Sequence, residues 1–125
     1  MTLKATNGIN INDDFTSAGT TTFNADTDNN GGTFTLASSE TLSTGNNALA
    51  ITATSIALDG TLNSGTAGTI LLTAQSGTTI GLGTGTGTFS LTDSELSRIT
   101  AGSLTIGNGT NGDITVDAVS SASFG

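Results

Sequence analysis

Leu49-Ala-Ile-Thr-Ala-Thr-Ser-Ile-Ala-Leu-Asp-Gly-Thr-Leu62 is followed, after a short link, by Thr69-Ile-Leu-Leu-Thr-Ala-Gln-Ser-Gly-Thr-Thr-Ile-Gly-Leu82. In the first stretch Ile51-Thr-Ala and Ile56-Ala-Leu place apolar side chains at alternate positions, the period of a strand with one buried face. In the second, Leu72-Thr-Ala and Ile80-Gly-Leu read as the same two strands one lap later, with Ile51 and Leu72 at equivalent points. Strands this short bury little on their own, so their recurrence describes a chain that winds and stacks each turn on the last.

The same pattern extends outward from this stretch. Towards the N-terminus, Leu3 and Ala5 alternate, Asn7-Gly8 turns the chain, Ile9 and Ile11 alternate again, and Phe15 closes the lap. Phe23 and Ala25 follow Leu3 and Ala5 at about one coil length, roughly twenty residues. Asp26-Thr-Asp-Asn-Asn-Gly-Gly32 is a protruding polar turn before Phe34 and Leu36 return to the core, and Leu42 follows a loop. Asp59-Gly60, Asn63-Ser-Gly65 and Gly77 punctuate the middle laps. Towards the C-terminus, Gly81 to Gly87 alternates Gly with Leu or Thr, which lets the chain hug a neighbour, and leads into Phe89 and Leu91. Leu104-Thr-Ile106, Ile114-Thr-Val116, Val119 and Phe124 continue the strands, with turns at Asn108-Gly109 and Asn111-Gly112.

The expected architecture is all-β: a single domain over residues 1–125, folded as a right-handed parallel β-helix (β-solenoid) of about five coils. The hand follows the general rule for parallel crossovers. Because the strand pattern starts at Leu3, the chain reads as a slice of a longer repeat protein. One segment departs from the pattern. Thr92-Asp-Ser-Glu95 fits a capping box, Leu91 and Leu96 fit a hydrophobic staple, Ile99 shares the face of Leu96, and Gly102 is placed to end the turn. This predicts a short helical insertion near Asp93–Ala101 that covers the solenoid.

Composition narrows the chemistry. The chain has eighteen Gly, five Phe and no Pro, Trp, Tyr, His or Cys, so small and β-branched aliphatic residues must fill a narrow interior. Ten acidic residues against Lys4 and Arg98 give a net charge of −8, which lacks the basic footprint of nucleic-acid binding and disfavours an anionic membrane surface. No apolar run reaches bilayer length, so no membrane insertion is expected.

Asp26, Asp28 and Asn30, followed by Gly31, match the opening half of a calcium loop, where alternating oxygens face one ion. The twelfth position, where the bidentate acid belongs, is Ala37, and Glu40 comes three residues later. An Asx-rich solvated turn explains the same residues. Calcium is thus the one cofactor candidate, and none is the expectation. Asp13-Asp14 would point to opposite strand faces and so does not form a glycosidase acid pair. The serines have no histidine to activate them, and Gly83-Thr-Gly-Thr-Gly lacks the lysine of a phosphate loop. No catalytic residue is assigned and no enzyme is expected. Thr84, Thr86 and Thr88, with Thr20 to Thr22, raise ice binding, which needs outward Thr pairs on the same face of each lap; β-branched residues on a solvated strand face explain them equally.

Gly87-Thr-Phe-Ser-Leu-Thr-Asp-Ser-Glu-Leu-Ser-Arg-Ile-Thr-Ala-Gly-Ser-Leu-Thr-Ile-Gly107, followed by Gly112-Asp-Ile-Thr-Val116, resembles the repeats of large filamentous-haemagglutinin-type exoproteins of the two-partner-secretion kind. The wording of Ile51-Thr-Ala-Thr and Leu71-Leu-Thr-Ala is similar. The resemblance implies a right-handed parallel β-helix, secretion through an outer-membrane partner, and adhesion or surface structure. The family's secretion domain, with its Asn-Pro-Asn-Gly-Ile type motif, does not occur here, so secretion is implied for the parent protein.

These readings converge on a non-catalytic stalk or filament segment, secreted or at the cell surface. Leu3-Lys-Ala and Ile114-Thr-Val carry no cap, and uncapped strands are templates for association. The expected partners are therefore further copies, stacked end to end through the terminal coils, and a host or surface glycan or protein. The alternative is a ligand-binding solenoid for glycan, calcium or ice.

Overall fold

Short apolar-alternating segments pair in parallel with the segment one pass earlier, and that single rule generates the architecture. The computed structural model describes residues 1–120. β1 (Thr2–Lys4), β4 (Thr21–Asn24), β7 (Leu49–Ala53) and the later part of β9 (Thr61–Ala74) form one ladder, with Leu3, Phe23, Ile51 and Leu72 in register. The end of β12 (Ile99–Ile106) continues it, Ile106 opposite Leu72. A second ladder stacks β3 (Phe15–Thr16), β6 (Thr41–Ser43), the start of β9 and the start of β12, aligning Phe15, Leu42, Leu62 and Ile99. β9 belongs to both ladders, so together they make one seven-stranded sheet. β2 (Ile9–Ile11), β5 (Thr33–Leu36) and β8 (Ser55–Leu58) form a second sheet, and β10 (Ile80–Gly83), β11 (Phe89–Leu91) and β13 (Ile114–Asp117) a third, in the order β11-β10-β13.

The parallel sheets curl around one apolar core. Alternation sends every second side chain inward, so residues in register form columns: Phe23, Ile51 and Leu72 are fully buried, as are Phe34, Leu36 and Leu58. Burial of each such side chain contributes about 1.5–3 kcal/mol. Phe23 lies 5.4 Å from Phe34 and 5.7 Å, edge-on, from Phe15, so aromatics from three ladders meet at the N-terminal end.

Three expectations need correction. Ile80-Gly-Leu82 does not lie on Ile56-Ala-Leu58; β11 packs beside β8, and β10 lies one strand further out, with Ile80 opposite Phe89. The alternating glycines are the reason. A Cβ on Gly87 would stand 2.2 Å from the Gly81 nitrogen, and one on Gly81 would stand 2.2 Å from the Gly85 carbonyl oxygen. Only glycine lets the chain double back that tightly and lay β11 alongside β10. The helix is also shorter than Asp93–Ala101. α1 spans Asp93–Leu96 with Ser97 as its C-cap, and Ile99 already pairs with Leu62. Strand pairing and burial of Ile99 claim those residues, and Gly102 sits inside β12 rather than ending the helix. Asn63 to Gly65 likewise lies within β9, where Gly65 takes φ +74° and Asn63 Oδ1 accepts from its amide at 2.9 Å. Phe124 lies outside the described residues.

Candidate functional site

The polar turn after β4 is built around one buried carboxylate. Asp26 has no exposed surface. Its Oδ1 accepts from the Asn30 amide at 2.9 Å, and its Oδ2 accepts from the Gly31 amide at 3.3 Å and from Thr54 Oγ1. Gln75 Nε2 donates to the Asp26 carbonyl oxygen and, at 3.5 Å, to Asn24 Oδ1. Asn29 and Gly31 take left-handed backbone, φ 57° and 110°, which bends the two amides onto the carboxylate.

Burial pushes the Asp26 carboxyl up. Hydrogen bonds from the Thr54 hydroxyl and the Asn30 and Gly31 amides, with the smallest share from the neighbouring Asp28 side chain, outweigh it and bring the pKa down to about 2. Asp28 itself is exposed, and Asn30 contributes its backbone N–H while its side chain stays at the surface. The structure thus brings Asp26 and Asp28 together and leaves Asn30 as an amide donor. Among the described residues no group of three or more His, Cys, Asp or Glu is placed to hold a metal ion.

A second polar cluster extends the expected capping box to the backbone of β8. Glu95 closes the capping box, its Oε2 accepting from Thr92 N and Thr92 Oγ1, each at 2.8 Å. Its other oxygen accepts from the Leu58 amide at 3.1 Å, and Arg98 Nη1 donates to the Leu58 carbonyl oxygen at 2.7 Å. Side chains at α1 therefore satisfy both backbone groups of the last residue of β8, as a neighbouring strand would. The signal in the sequence is the capping-box glutamate, whose second oxygen is unspent by the cap. Asp93 holds the chain beyond β13, accepting from Ser120 N at 2.9 Å and Ser120 Oγ at 3.0 Å.

Asp13 and Asp14 serve the backbone: Asp13 Oδ1 accepts from Asp14 N, and Asp14 Oδ1 from Thr41 N, both at 2.8 Å. The outward column in the first ladder runs Thr2, Thr22, Ala50, Leu71, Thr105, so threonine does not repeat on each pass. An open groove of about 400 Å³ lies beside β10 and β13, lined by Thr79, Thr86, Gly87, Thr88, Asp113 and Thr115. Its surface is hydroxyl-rich with one carboxylate. Finally, apolar side chains at the two ends of the inward columns are exposed: Leu3 is 40 % exposed, Ile114 46 % and Val116 61 %, whereas Phe23 inside Leu3 and Ile80 inside Ile114 are fully buried and Leu82 inside Val116 is partly buried.

Comparison with protein-family models, with curated proteins and with solved structures returns no match.

Proposed function

We propose that the parallel passes are coils of a right-handed parallel β-helix, and that the chain is a non-catalytic, shape-holding segment of a secreted or surface-exposed adhesive stalk or filament, stacking end to end. One observation carries this reading: columns of fully buried Phe, Ile and Leu run the height of the molecule and end in exposed Leu3, Ile114 and Val116. The carboxylates with the most hydrogen bonds, Asp26 and Glu95, are spent on backbone amides of the scaffold itself. The surface placement rests on the resemblance to filamentous-haemagglutinin-type repeats. Electron microscopy over rising protein concentration tests the reading: rods that lengthen are expected, and isolated globules at every concentration would overturn it.

A second reading, a ligand-binding solenoid, is favoured by the groove of Thr79, Thr86, Thr88, Thr115 and Asp113, whose hydroxyls suit a neutral glycan. A glycan array addresses it directly, and thermal melting with added calcium addresses the Asp26 turn, since an ion bound only to the folded state raises the melting temperature.

A further inference from the structure

The two ends of the molecule match each other column by column. Register places Leu104 on Ile70, Leu49 and Thr21, and the pairing of Thr22 with Thr2 puts Met1 next in that column. Ile106 ends the column that begins at Leu3. In the neighbouring sheets Ile9, Phe34 and Ile56 are in register, as are Ile11, Leu36 and Leu58; β11 packs beside β8, and there Phe89, Ile80 and Ile114 are in register, as are Leu91, Leu82 and Val116. Met1, Leu3, Ile9 and Ile11 of the first pass and Leu104, Ile106, Ile114 and Val116 of the last pass are all apolar. Met1, Leu3, Ile114 and Val116 are among the exposed large hydrophobic residues, and among the described residues no strand pairs with the outer edge of β1, β2 or β13.

From this we infer that the occupant of the β12–β13 end is the β1–β2 end of a second copy, docked head to tail in the register that sets Met1 on Leu104, Leu3 on Ile106, Ile9 on Ile114 and Ile11 on Val116. The inference rests on the end-stacking reading above and adds its polarity and register. Charge disfavours the tail-to-tail alternative. Two β13 strands meeting antiparallel across Thr115 would set Asp113 directly against Asp117 twice, a like-charge opposition that destabilises strand pairs. Head to tail, Asp113 falls beside Gly8 and Asp117 beside Asn12, while Lys4 falls beside Gly107. Such a contact uses two different surfaces and does not close on itself, so copies add without limit.

Light scattering after size exclusion on the chain, on Val116→Lys and on Leu3→Lys tests the docking. The wild-type mass should grow with concentration, each variant alone should run as a monomer, and an equal mixture of the two should stop at a dimer, because each retains one intact end. Recovery of that dimer also shows that both variants are folded. A discrete wild-type dimer that Val116→Lys abolishes and Leu3→Lys leaves intact would overturn the head-to-tail register while leaving end stacking in place. A wild-type monomer at every concentration would overturn both.

Discussion

Asp26 shows how a single carboxylate can organise a turn of otherwise solvated residues. Replacing it with Asn removes an ionised acceptor from two amides and the Thr54 hydroxyl, and the expected loss is about 2 kcal/mol, read from denaturant unfolding. The pH dependence has a defined sign. Folded Asp26 has a pKa of about 2 against 3.8 as its ordinary value, so its contribution is complete above the ordinary value and disappears as pH falls towards the folded one. The stability gap between wild type and Asp26→Asn should therefore be constant near neutrality and narrow between those two values. Thr54→Val should reproduce part of the loss and leave the turn's amide bonds in place. The partners of Asp26 follow from register. Asn24, Thr52 and Thr73 stack, and two residues further along each strand stand Asp26, Thr54 and Gln75. A reading confined to the loop finds a calcium-like spacing; only the lap-to-lap register reveals the hydroxyl and the amide that lie above it.

At the scale of elements, the segment from β10 to α1 shows what short-range signals convey and what they leave out. The capping box at Thr92 and Glu95 was legible because its partners lie three residues apart. The end of the helix was not, because the burial of Ile99 against the ladder of Leu42 and Leu62 depends on residues far back in the chain. The glycine alternation announced close approach without naming the neighbour, which is the chain's own preceding strand. Gly87→Ala should drive a methyl into the β10 backbone and cost about 3 kcal/mol, seen as a lowered melting temperature. Arg98→Ala leaves the Leu58 carbonyl without its side-chain donor, and a loss of about 1–3 kcal/mol is expected. Amide exchange offers a local check: in Arg98→Ala the Leu58 amide, held by Glu95 on the same clamp, should exchange faster than amides of β5.

For the whole molecule, stability builds from contacts between successive passes, so a defect in one column should be felt mainly by the passes on either side. Phe23→Ala, at the meeting point of three aromatic rings, should cost about 3–5 kcal/mol in chemical denaturation. The strand inserted at β10 and β11 has a geometric outcome at this scale. One side of the molecule is climbed by β2, β5, β8, β11, β10 and β13, while the side begun by β1 passes only through β4, β7, β9 and β12. The first side counts six strands against five, and the side begun by β3 counts four, β3, β6, β9 and β12, where one strand spacing is about 4.8 Å. The two ends are then tilted planes, and each molecule is a wedge. Copies added head to tail would compound that tilt, so the assembly would grow as an arc or a superhelix whose radius is fixed by a run of alternating glycines.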